Sequence, residues 1–241
     1  MSEITGEGEL GMWFRVTKRK LAIFFLAILI IFLCTVVYHW WFNHSAVVPE
    51  ELIGVAIENT ARAQSYRYEI VARSQVDGQF RTLSEITGEK AKNGDFHIKG
   101  VMVNSPVDIY QIGDITYHKD LFTNKWIVTE GSNLAKMQVL MTEINPLAHF
   151  NFRQVVGVKY LGQEKVRDER CYVLECQPHL ENQYLELFWT EFIYQLWIDR
   201  KDQLIRKACI KARHKSNANA ALSIDVQLYD FNQNLEIKPP R

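Results

Sequence analysis

Tyr66–Met102 reads YRYEIVARSQVDGQFRTLSEITGEKAKNGDFHIKGVM, and this stretch decides the fold. Tyr66, Tyr68, Ile70 and Ala72 alternate with Arg67, Glu69 and Arg73. A period of two places the apolar set on one face of a strand. The run halts at Asp77-Gly78 and resumes as Phe80–Glu89. After Asn93-Gly94, Phe96, Ile98, Gly100 and Met102 alternate with His97 and Lys99. Asp-Gly and Asn-Gly between alternating runs mark tight hairpins, because those turns need residues that accept positive φ. Val107–Ile112, Ile115–Lys119 and Trp126–Thr129 continue the pattern through Gly113-Asp114 and Thr123-Asn124. The expectation is an antiparallel meander of about six strands.

Downstream the period changes. Leu134, Met137, Met141 and Ile144 recur at helical spacing, with Ser132 or Asn133 as cap and Asn145-Pro146 as stop. Leu147–Phe152 reads as a second short helical piece, and Leu180–Thr190 as a third. Strands are expected at Val156–Gly162, Cys171–Gln177, Phe192–Asp199, Leu204–Arg213 and Ala221–Phe231. So many successive antiparallel strands, about ten or eleven, must curl. The fold class is therefore α+β: a strongly curved antiparallel half-barrel, with helices covering its concave face.

Upstream, Pro49-Glu50-Glu51 opens an amphipathic helix ending near Gln64. Before it, Leu21–Phe42 (LAIFFLAILIIFLCTVVYHWWF) contains no Asp, Glu, Lys or Arg, and Arg15, Lys18, Arg19 and Lys20 precede it. At ~1.5 Å per residue such a helix covers roughly 30 Å, one bilayer core. The cations place the N-terminus in the cytoplasm, and Tyr38, Trp40, Trp41 and Phe42 form an aromatic belt on the outer side. The run exceeds the ~7–15 residues of a signal-peptide core, so an uncleaved anchor is expected. The boundaries read as cytoplasmic tail 1–20, transmembrane anchor 21–42, linker 43–48, extracytoplasmic domain 49–232 and C-terminal tail 233–241. The location is the inner (cell) membrane, single-pass.

The chain has 241 residues and a formal net charge of zero. With no basic block beyond the juxtamembrane one, nucleic acid is not an expected partner. Cys171, Cys176 and Cys209 lie outside the apolar run. Cys171 and Cys176 point to opposite faces of one strand, so they do not pair with each other. Cys209 pairing with either, or three reduced thiols, both stay open. No nucleophile elbow, zinc motif, phosphate loop or dinucleotide fingerprint occurs, and the histidines, including His149, read as surface residues. No enzyme, metal or cofactor is expected. Met137, Met141, Phe150, Phe152, Tyr184, Phe188 and Trp189 concentrate in the inserted helical pieces. They suit either the lining of an apolar cavity or an ordinary core.

Several strand phrases stand along this path: Ala63-Gln64-Ser65-Tyr66-Arg67-Tyr68, Asp114-Ile115-Thr116-Tyr117-His118-Lys119-Asp120, Lys125-Trp126-Ile127-Val128, Cys171-Tyr172-Val173-Leu174-Glu175-Cys176, Leu196-Trp197-Ile198-Asp199 and Leu204-Ile205-Arg206-Lys207-Ala208. In these the chain resembles the LolA/LolB-like lipoprotein carrier superfamily, which includes the LppX/LprG type. The resemblance covers about Pro49–Phe231 and implies an unclosed antiparallel barrel whose helices lid a cavity for lipid or acyl chains. A membrane lipid or acyl chain is then the expected ligand. Related RseB-type regulators imply the alternative, a sensor domain with an envelope protein as partner. Candidate lining residues share one strand parity: Tyr68, Ile70, Phe96, Ile98, Tyr172, Leu174, Leu196, Ile198, Ile224 and Val226. Met137, Met141 and Phe188 would cover them.

Overall fold

In the computed structural model the chain divides into two compact units, Met1–Val48 and Pro49–Arg241. The structure describes residues 23, 26–36, 48–131, 145–181 and 183–240. In the first unit, residues 26–36 are helical with exposed apolar side chains. Among the described residues no helix is long and apolar enough to cross a membrane. The rest of the span expected at Leu21–Phe42 lies outside the described residues, as does the helical stripe carrying Met137 and Met141.

The second unit is built on one sheet of 11 strands. They are β1 (Tyr66–Val76), β2 (Gln79–Lys90), β3 (Phe96–Met102), β4 (Ser105–Ile112), β5 (Ile115–Lys119), β6 (Trp126–Glu130), β7 (Phe152–Val166), β8 (Glu169–Leu180), β9 (Trp189–Asp199), β10 (Ile205–His214) and β11 (Ala220–Tyr229). Their order across the sheet is β6-β5-β4-β3-β2-β1-β11-β10-β9-β8-β7. Every neighbouring pair is antiparallel, and the two edges, β6 and β7, do not join. The expected open sheet is present, and the β1–β11 pairing joins its two meanders, β1 to β6 and β7 to β11, without closing it.

Helix α1 (Pro49–Ala61) begins with Pro49 and the acids Glu50 and Glu51, as its N-terminal dipole favours, and buries Leu52, Ile53, Ala56 and Thr60. It approaches β7 and β10, which flank β8 and β9, so the sheet curls around it. Beneath it, one cross-strand row runs through Ile86, Ile70, Val226, Ala208, Leu196 and Leu174, with none more than 1% exposed. The small member, Ala208, lies on β10, where the backbone of α1 comes close. Thr60 fastens the helix: its Oγ1 donates to Ala56 O at 2.6 Å and accepts from Ile205 N at 2.9 Å.

Three local expectations change. The second helical piece is a 3-10 turn, Pro146–Phe150, with Asn145 Oδ1 accepting from Leu147 N at 3.1 Å, and β7 starts directly after it. The third shrinks to α2 (Gln183–Phe188), because Leu180 pairs with Phe152, and Trp189 and Thr190 pair with β10. His149, expected at the surface, is buried in the 3-10 turn, and neither ring nitrogen has a hydrogen-bond partner among the described residues. The outer face also differs from a purely polar one. Cys171, Val173 and Trp197 form a second buried cluster there, with Val166 and Cys209 against it. Trp197 Nε1 donates to Glu164 Oε2 at 2.7 Å, and Lys207 Nζ sits 4.4 Å from the centre of the indole. In the stretch expected as a tail, Gln233 O accepts from Ser65 Oγ at 2.6 Å and Ile237 is buried.

The register also decides the cysteines. Strand β9 lies between β8, which carries Cys171 and Cys176, and β10, which carries Cys209. Two strand spacings of ~4.8 Å separate them, beyond the ~6.8 Å Cα limit of a disulfide. All are free thiols, and burial pushes Cys171 up to about 11 and Cys176 up to about 12.

Candidate ligand cavity

A cavity of about 490 Å³ lies at one end of the curl, between the first strands and Asn145–Leu147. Its apolar wall is Tyr66, Tyr68, Phe96 and Ile98. The tyrosines come from one face of β1, two residues apart, and their ring centroids are 6.2 Å apart. Phe96 and Ile98 hold the equivalent parity on β3. What lets the Tyr68 ring lie across β2 is Gly88, its cross-strand partner. A Cβ on Gly88 would come 2.2 Å from Tyr68 Cζ. Any side chain there displaces the ring. Burial pushes the Tyr66 phenol up to about 12 and raises Tyr68 further, so both stay neutral.

The other end of the cavity is polar and already engaged. Asp95 accepts from Asn93 Nδ2 at 2.7 Å and from Gly113 N at 2.8 Å. Gln111 donates to Gly113 O at 2.8 Å and accepts from Thr116 Oγ1 at 2.7 Å. Lys90 Nζ stands 5.6 Å from the centre of the Tyr66 ring. These turns close on their own polar groups and present the aromatic wall as the surface a guest would meet. The volume falls in the ~300–1,000 Å³ range of small-molecule pockets. Among the described residues no group of three or more His, Cys, Asp or Glu is placed to hold a metal ion.

Of the candidate lining residues, Tyr68, Phe96 and Ile98 meet at this cavity. Ile70, Leu174, Leu196, Ile198, Ile224 and Val226 are buried on the same sheet face but do not line it. Tyr172 is half-buried against Tyr160 and Arg200, and Phe188 is exposed at the end of α2. Met137 and Met141 lie outside the described residues. Sequence reasoning missed Tyr66, Lys90, Asp95 and the Asn145–Leu147 cover. Tyr66 was recoverable, since it shares the parity of Tyr68. Asn145-Pro146 signalled only a helix stop, and nothing local says which strands a stop will cross.

No family model matches the chain, and no curated protein matches it by sequence. Solved structures do match by shape. The Mycobacterium tuberculosis lipoprotein LppX superposes with a TM-score of 0.52 at 11% identity, covering 80% of this chain and 100% of its own. LprF from Mycobacterium bovis gives a TM-score of 0.50 at 8% identity, covering 80% of this chain and 96% of its own. A LolA superfamily protein from Nitrosomonas europaea aligns over 80% of this chain at 16% identity, with a TM-score of 0.33. In fold, this chain is similar to LppX and LprF.

Proposed function

We infer that this chain is a membrane-tethered extracytoplasmic domain that holds a lipid acyl chain or a similar apolar guest. The observation that carries the reading is the aromatic-walled cavity beneath Asn145–Leu147, whose polar end is already hydrogen-bonded. Transfer of each methylene from water contributes ~0.8 kcal/mol, so an acyl chain binds there without any polar recognition motif. The likeness to LppX, a lipoprotein, supports a role in the cell envelope. The apolar run Leu21–Phe42 supports the tether and ends seven residues before Pro49. Such a tether favours local lipid handling or envelope sensing over free shuttling. No catalytic step belongs to this reading.

The test is photo-crosslinking of the full chain in membranes with a phospholipid bearing a diazirine in its acyl chain. Labelled peptides containing Tyr66–Tyr68 and Phe96–Ile98 are the expected result. Labelling confined to Leu21–Phe42, with the cavity strands unmarked, would leave the cavity without a lipid and favour the sensor alternative.

A further inference from the structure

The two ends of the sheet are chemically unlike. At the cavity end the turns read Lys92-Asn93-Gly94-Asp95, Gly113-Asp114, Arg167-Asp168 and Arg200-Lys201-Asp202-Gln203. None of the exposed large apolar side chains among the described residues falls in them. At the opposite end lie the β1–β2, β3–β4, β5–β6 and β10–β11 turns and α2. There Phe80, Val103, Leu121, Phe122, Leu187 and Phe188 are each more than half exposed, Phe122 at 95%.

These side chains do not serve their turns. The β5–β6 turn is built by Asp120, whose carboxylate accepts from Phe122 N, Thr123 N and Thr123 Oγ1. That turn needs nothing from the Phe122 ring, which it holds out into solvent. Val103 sits at φ 49 beside Asn104 at φ 63. A β-branched residue at positive φ is strained, and Asn or Gly would relieve it. Apolar groups kept at exposed and strained tips mark an interaction surface.

We propose that this end of the domain seats in the head-group region of the bilayer that anchors the chain. The proposal rests on the tether inferred above. Arg81, Lys125 and Lys215 stand beside the tips, while Asp77 and Asp120 are engaged, accepting from Asn219 Nδ2 at 3.0 Å and from Thr123 N at 2.6 Å. Apolar tips with flanking cations suit an anionic membrane surface. The C-terminal end of α1 is held at the cavity end by Thr60 to Ile205 and by Asn59 to Asp202. Following α1 back to Pro49 therefore leads away from the cavity end, by up to about 18 Å. A domain seated in this way turns its cavity end outward, so the guest is received or released on the side away from the anchoring bilayer.

The experiment reconstitutes the full chain, with Cys34→Ser, in phosphatidylcholine–phosphatidylglycerol vesicles with brominated acyl chains. A fluorescent thiol probe is placed by Phe122→Cys or Phe80→Cys at the apolar end and by Asp168→Cys at the charged end. The remaining thiols are poor competitors, since burial raises all of them. The expected result is loss of most emission at Phe122→Cys and Phe80→Cys, with emission at Asp168→Cys retained. Equal emission at both ends of a vesicle-bound chain overturns the proposal and spares the tether. A chain that does not float with the vesicles overturns both.

Discussion

A single glycine governs the cavity wall. Gly88 carries no positive φ, so alanine is allowed by its backbone and fails only against the Tyr68 ring. We expect Gly88→Ala to cost ~1–3 kcal/mol by overpacking, measured by denaturant unfolding, and to reduce lipid photo-labelling of the cavity strands. His149 gives a pH dependence. Burial lowers it to about 4 in the folded state, against 6.5 for the ordinary imidazole. The unfolded chain therefore binds the proton more tightly. Stability is full above pH 6.5 and falls as the pH drops towards 4, by about 3 kcal/mol at ~1.36 kcal/mol per pH unit. His149→Phe should flatten that part of the stability–pH curve; a curve unchanged in His149→Phe would exclude this residue as its source. Neither residue was legible beforehand. Gly88 sits in an ordinary alternating strand, and whether a histidine is buried depends on what packs over it.

The element whose attachment matters most is α1. Its start was readable from Pro49, Glu50 and Glu51, because caps and dipoles act locally. Its attachment was not, because Ile205 N, which needs Thr60 Oγ1, stands 145 residues away. Thr60→Val keeps the shape and removes the acceptor. Leaving a buried N–H unsatisfied should cost ~1–3 kcal/mol, read as a lower unfolding midpoint, whereas Thr60→Ser should retain most of the stability. Among the inserted helical pieces, tertiary pairing overrode local periodicity. Leu180, Trp189 and Thr190 all had better partners in strands than in a helix, so α2 retained only six residues.

Across the whole molecule, the register excludes a disulfide between Cys209 and either Cys171 or Cys176. Stability should therefore be the same with and without reductant, and the intact mass should show every thiol free. A thermal midpoint that falls on reduction would contradict the strand order itself, since β9 would have to leave its place between β8 and β10. The asymmetry of the two sheet ends also belongs to this scale. Phe80, Val103, Phe122 and Phe188 are far apart in sequence, and only the alternating direction of the strands brings them to one end.

The sequence by itself determined the strands, the hairpin turns between them and the start of α1. Each depends on side-chain period, turn chemistry or capping within a few residues, as in Tyr66–Met102. It also showed that the strands must curl. Only the tertiary structure decided that β1 pairs with β11, leaving β6 and β7 as separate edges. It also divided one apolar face between a packed core under α1 and a cavity under Asn145–Leu147. Strand parity gives Ile70 and Tyr68 the same face. What separates them is which segment crosses above each, and that depends on contacts between residues distant in the chain.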